Sequence, residues 1–186
     1  VINDFLGLDL SLTSTGYAFG DESGVISFNK SGPERLWLVK REIESLINKY
    51  DAKAVMLEGY SFASRSGQAF SIGELGGVVR LLLWQIGIPY VTIPPTCRAK
   101  FATGKGNASK NEVISSISAR TGIVWQNPGA DDRCDAWILQ EMGLAHIGKP
   151  RFSWPAQNMD ALSKVDWTPI EEQGNNENIT HKPDRN

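Results

Sequence analysis

The sequence predicts a mixed α/β domain: a five-stranded sheet, three antiparallel strands and then parallel ones, with helices on both faces. Three observations predict it. Three short apolar runs separated by turn residues fill the first 28 positions, helical and strand periods alternate after them, and a capping box marks a helix start near residue 110. At 186 residues with 41% hydrophobic content, the chain is long enough for one domain with a sizeable core.

Phe5-Leu6-Gly7-Leu8-Asp9-Leu10 is an apolar run of strand length. Gly16-Tyr17-Ala18-Phe19 and Val25-Ile26-Ser27-Phe28 follow after turns, which makes an antiparallel meander. Pro33 suits the first turn of a helix, and Leu36, Val39, Ile43, Leu46, Ile47 and Tyr50 recur at helical spacing, so one face packs on a sheet. Ala54-Val55-Met56-Leu57-Glu58 is a short buried strand. After a polar loop of small residues comes a helix over 72–86, then the strand Tyr90-Val91-Thr92-Ile93, which Pro94-Pro95 stops. Ser109 and Glu112 have the spacing of a capping box, and their helix runs to Gly122. Asn127-Pro128 starts the last helix. The domain spans 1–150, and 151–186 is an extension. Trp154 and Trp167 can still pack on the domain, but from residue 171 onward Ile179 is the sole aliphatic among Asn and Glu, which predicts a mobile tail.

Composition excludes several classes. Cys97 and Cys134 lie far apart without metal-ligand spacing, which fits core-filling thiols in a reducing compartment better than a disulfide framework. No apolar stretch approaches the roughly 20 residues of a membrane span, and no signal-peptide pattern opens the chain, so a cytoplasmic location is expected. The formal net charge is −2. Over residues 1–150, however, 15 basic residues balance 15 acidic ones, and with four proposed metal ligands set aside a surplus of four positive charges remains. Electrostatics permit DNA binding without demanding it.

The four acids are Asp9, Glu58, Asp132 and Asp135. Asp9 and Glu58 close the first and fourth strands, and neighbouring strands would bring them together. Asp132 and Asp135, three apart on a helix, point to one side with Cβ atoms about 5–6 Å apart. Four converging carboxylates repel unless cations bind, and two divalent cations about 3.5–4 Å apart are what phosphodiester hydrolysis uses. Mg²⁺ suits an all-oxygen set, with Mn²⁺ as a substitute. The bland reading of Asp132 and Asp135 is a negative first helical turn facing the macrodipole. Asp131 takes the place of Asp132 if the helix is rotated by one residue.

Gly7-Leu8-Asp9-Leu10-Ser11-Leu12-Thr13-Ser14-Thr15-Gly16-Tyr17, Leu57-Glu58-Gly59, Ala108-Ser109-Lys110-Asn111-Glu112-Val113 and Asp132-Arg133-Cys134-Asp135-Ala136 occur in an order that resembles RuvC, the Holliday-junction resolvase family, and its phage-borne branch in particular. The likeness covers roughly residues 3–147. It implies an RNase H-like fold, a homodimer, two Mg²⁺ per active site, and nicking of paired strands at a four-way junction. It also carries the catalytic and metal-holding roles onto Asp9, Glu58, Asp132 and Asp135. Leu10-Ser11 stands where bacterial members usually have Pro-Gly, which bears on sequence preference rather than chemistry.

DNA-holding residues are expected among Arg98, Lys100, Lys105 and Lys110, in a stretch that has Glu112 as its sole acid. Lys110, which also matches a family lysine, ranks first and Lys100 second. The loop after Glu58 carries Tyr60, Phe62, Arg65 and Phe70; Phe62 is the expected wedge into opened bases, with Arg65 beside it. The helix over 72–86 is apolar nearly all round with Gly73, Gly76 and Gly77 on one side, which fits dimerisation or intramolecular burial equally. Three rivals remain at this level. The Asp9 motif with Thr13 and Gly16 also resembles the phosphate loop of actin-like ATPases, an RNase H would put its glutamate on the first helix, and a binding module would hold branched DNA without cutting it.

Overall fold

The computed structural model describes residues 4–60 and 68–172. Strands β1 (Phe5–Asp9), β2 (Thr15–Phe19), β3 (Glu22–Ile26), β4 (Ala54–Glu58) and β5 (Tyr90–Ile93) form one sheet in the order β3-β2-β1-β4-β5. The pairs β1/β2 and β2/β3 are antiparallel, and β1/β4 and β4/β5 are parallel, as expected. Leu8 lies opposite Leu57 in the parallel pair, so the next residues, Asp9 and Glu58, end adjacent strands side by side. Side chains alternate across a strand, which puts both acids on the face that carries Phe5, Gly7 and Met56.

Helices α1 (Gly32–Tyr50), α2 (Gln68–Gln85), α3 (Pro95–Thr103), α4 (Lys110–Thr121), α5 (Ala130–His146) and α6 (Ala156–Met159) surround the sheet. On one face Leu6, Leu8, Val55 and Leu57 meet Val39, Ile43 and Leu46 of α1 and Leu75, Val79 and Leu82 of α2. On the other face Phe5, Met56 and Val91 meet Ala136, Leu139 and Met142 of α5, with α3 and α4 flanking. Two glycines let α5 lie directly on the strands. A Cβ on Gly7 would sit 2.0 Å from the Ala136 carbonyl oxygen, and one on Gly16 would sit 2.0 Å from that of Asp132. Substitution at either position pushes the helix off the sheet.

Several boundaries differ from the sequence reading. Pro94-Pro95 does end β5, but Pro95 also begins α3, because its fixed φ and missing N–H suit a first helical turn. The helix expected to be the last is α5, which α6 follows, and it begins at Ala130 rather than at Asn127-Pro128, since Asn127 and Gly129 both adopt positive φ and form the turn before it. α2 starts at Gln68, four residues early, and β3 covers Glu22–Ile26 instead of 25–28. The capping box is present: Ser109 Oγ accepts from Glu112 N at 3.3 Å, and Ser109 N donates to the Glu112 carboxylate at 2.8 Å.

The described part of the extension is well packed. Glu141, fully buried on α5, accepts hydrogen bonds from Arg151 N and Nε, both at 2.8 Å, and from Trp154 Nε1 at 3.1 Å. Ala161, Val165, Trp167 and Ile170 join the α5-side core. Of the tail expected to be mobile, residues 173–186 lie outside the described residues.

Candidate active site

Three of the four acids meet where β1, β4 and α5 converge. Asp9 and Asp135 are 8% and 4% exposed, and the Asp9 carboxyl is hydrogen-bonded to Glu58. The site exists because α5 rides on Gly7 and Gly16, which lowers its first two turns onto the ends of β1 and β2. Asp135 therefore points down at the strand ends. Asp132, one turn earlier, has its carbonyl against Gly16 and its carboxylate hydrogen-bonded to Ser14, apart from the other three. Asp131 faces away and pairs with Lys110 at 2.7 Å. Of the two adjacent aspartates, Asp132 is thus the one turned toward the sheet.

The fifth member of the cluster is Arg98. From the first turn of α3 its guanidinium donates through Nε to Glu58 and through Nη1 to Asp135, and its side chain is only 12% exposed. A DNA-facing surface residue was expected at this position, and the guanidinium instead points into the acids. The reason is the unforeseen helix: α3 turns Cys97, Ala99 and Phe101 into the core and aims Arg98 at the end of β4.

 Buried neighbours on both sides fix the α3 backbone, and the Arg98 amide donates to the Pro94 carbonyl at 3.1 Å.

Electrostatics follow from this crowding. Burial and then the neighbouring Glu58 charge hold the Asp9 carboxyl well above the ordinary carboxylate range. Burial also pushes Asp135 up to about 7, with Arg98 opposing and Glu58 adding to the rise. Burial raises Asp132 against its Ser14 hydrogen bond, whereas the Lys110 hydrogen bond lowers Asp131. For Arg98, burial works against the charged form, and the charges of Glu58 and Asp135 outweigh it. Carboxyls that resist ionisation next to one another are a hard-oxygen set suited to Mg²⁺ or Mn²⁺. Among the described residues, however, no three His, Cys, Asp or Glu side chains are spaced to hold a metal ion as they stand. The donor chemistry fits a divalent cation, and the present arrangement is organised around the guanidinium.

The other candidates divide by position. Lys110, with its side chain 67% exposed, stands at the rim of the site, where its charge reaches Asp135 and Asp132 as well as Asp131. Lys105 is exposed in the turn between α3 and α4, whose backbone is pinned by Thr103. Lys100 points elsewhere, 3.8 Å from Asp160 of the C-terminal segment. Phe62 and Arg65 lie outside the described residues. Tyr60 is anchored rather than free: its hydroxyl meets the Gly73 carbonyl at 3.3 Å and Arg80 Nη1 at 2.5 Å. Residue patterns did not reveal Gly7, Gly16, Ser14 or the inward Arg98 as parts of the site. A glycine inside a strand marks close backbone approach and was the available signal for the first two.

Glu58 closes a strand, which separates this site from an RNase H with a helical glutamate. Comparison with known proteins agrees. The family model described as "Crossover junction endodeoxyribonuclease RuvC" matches residues 5–140. A protein of that name from Prochlorococcus marinus is 27% identical over 150 residues, covering 75% of this chain and 96% of the relative. Solved structures of Thermus thermophilus RuvC, alone and in complex with a Holliday junction substrate, superpose with a TM-score of 0.63 at 20% identity. They cover 80% of this chain and 99% and 98% of those chains. With its RNase H-like sheet, its strand-end acids and a family match over most of its length, the chain belongs to the RuvC family of crossover junction endodeoxyribonucleases.

Proposed function

We propose that this chain resolves four-way DNA junctions as a homodimer, each subunit nicking one strand and leaving 5′-phosphate and 3′-hydroxyl ends. The observation that carries the reading is the convergence of Asp9, Glu58 and Asp135 beneath α5 in a member of this family. Asp9, Glu58 and Asp135, with Asp132 beside them, are the residues to hold Mg²⁺ or Mn²⁺. Bound cations would supply Lewis-acid stabilisation of charge at the scissile phosphate. The protein's own part is positional: the strand ends and α5 fix the carboxylates, and the walls of the two cores restrict water around them. Lys110 and Lys105 at the rim suit backbone phosphates beside the cut. The exposed Lys110–Asp131 pair is weak enough to exchange for a phosphate.

Support for a dimer comes from α2. Phe70, Gly73, Gly77, Leu81 and Trp84 form one stripe at helical spacing, with Phe70, Leu81 and Trp84 at 81%, 54% and 78% exposure. Among the described residues a Cβ added to Gly73 or Gly77 would meet nothing within 4 Å, which suits close approach of a second backbone there. A two-fold enzyme also matches a junction of near two-fold symmetry. We place the enzyme with its DNA in the cytoplasm, a host's cytoplasm if a phage encodes it. The phage-borne assignment rests on the likeness of the ordered motifs alone, since the relatives described above are bacterial.

The test offers labelled four-way junction, flap, linear duplex and RNA/DNA hybrid with Mg²⁺. The expected result is paired, ligatable nicks in the junction above all other substrates. Preferred cleavage of the hybrid, or a bound junction left intact, would contradict the proposal.

A further inference from the structure

We propose that Arg98 is the resident counterion of the acid cluster, holding Glu58 and Asp135 in the metal-free protein and leaving them when divalent cations load. The inference rests on the metal-dependent reading above. Three observations support it. The guanidinium bonds both acids, which belong to different elements, so it acts as the cross-link between β4 and α5 at the site. Among the described residues no three His, Cys, Asp or Glu side chains are spaced to hold a metal ion, whereas the guanidinium is in contact with two of the acids. The α3 backbone is fixed by buried Cys97, Ala99 and Phe101, whereas the long arginine side chain reaches the acids from that fixed point and can withdraw by rotation about its own bonds.

The guanidinium faces one oxygen of each acid, Glu58 Oε1 and Asp135 Oδ1, so a divalent cation loading on the same pair enters a space that already holds a positive charge. The two charges would repel each other strongly at such separation in a site this dry. That repulsion favours withdrawal of Arg98 from both contacts when a cation loads on Glu58 and Asp135. Two consequences follow. The acids do not fly apart before metal arrives, because a full positive charge already lies between them. Metal binding is also opposed by that same charge, so Arg98 raises the cation concentration at which the site fills. Arg98 is on this account a positioning residue that acts through the ligands.

The test follows thermal unfolding of the full chain without DNA while Mn²⁺ or Mg²⁺ is titrated, for the wild type, Arg98→Gln and Arg98→Lys. Arg98→Gln should lower the metal-free Tm, enlarge the stabilisation by metal, and tighten Mn²⁺ binding by about ten-fold or more, as expected when a unit charge leaves two ligands. Arg98→Lys, which keeps the charge but not the fork, should fall between. Unchanged or weaker Mn²⁺ binding by Arg98→Gln would overturn the proposal. If that variant fails to fold without metal, the Nε–H resonance of Arg98 in ¹⁵N-labelled wild type decides. It should be protected from exchange without metal and lose protection at saturating Mg²⁺, and a resonance that does not change overturns the inference. Absence of any Mn²⁺ binding by either protein would overturn the metal reading itself, whereas equal binding by both removes only the role of Arg98.

Discussion

The buried carboxyls of Asp135 and Asp9 bind protons more tightly than they would in the unfolded chain. Burial pushes Asp135 up to about 7 and keeps Asp9 well above its usual range. Raised carboxyl pKa values mean that stability is lost as pH climbs from the unfolded value to the folded one, here from about 4 to about 7 for Asp135. The lowered pKa of Asp131 acts in the opposite sense but below this window. Metal-free protein should therefore be less stable at pH 8 than at pH 5, by at most about 3 kcal/mol from Asp135, which is two units at about 1.4 kcal/mol each. Urea unfolding at the two pH values measures this, and Asp135→Asn should flatten the dependence. Stability that rises across the window would contradict the assignment. Residue identity alone disclosed the acids, because Asp9 and Glu58 end apolar runs and Asp132 and Asp135 share a helix side. It did not disclose Arg98, whose direction depends on the helix α3 that follows directly where Pro94-Pro95 ends a strand.

The decisive element is α5, seated on glycine. Gly16→Ala would drive a Cβ into the Asp132 carbonyl, and neither backbone can yield without moving helix or strand. Overpacking of this kind costs about 1–3 kcal/mol. The same displacement should lower junction cleavage more than it lowers stability, because Asp132 and Asp135 ride on the helix that moves. A chemical melt together with a cleavage assay below the melting range separates the two effects, and full activity in a destabilised Gly16→Ala protein would contradict the seating argument. Strand positions were legible because short apolar runs bounded by turn residues have few alternatives, and the α4 start because Ser109 and Glu112 satisfy each other's backbone. Boundaries at α3 and α5 were not. Proline reads equally as a stop or a first turn, and Asn127 takes a positive φ that residue type permits without announcing.

At the scale of the molecule, two apolar layers on opposite faces of one sheet hold a site at the strand ends, and the exposed apolar stripe of α2 is the surface proposed for a second copy. Trp84→Glu and Leu81→Glu should leave the monomer folded, since both side chains are exposed, and convert a sedimenting dimer to monomer. The variants should also turn paired nicks into single ones. An unaltered dimer would move the interface elsewhere on the molecule. The central claim is that the strand-end carboxylates, loaded with divalent metal, cut the junction. Single-turnover cleavage of a labelled four-way junction by the wild type and by Asp9→Asn, over a series of Mg²⁺ concentrations, tests it most directly. Cleavage should rise with Mg²⁺ in the wild type and fall by about a hundred-fold or more in Asp9→Asn, with junction binding retained. Equal cleavage by the two proteins, or cleavage that persists in EDTA, would contradict the account.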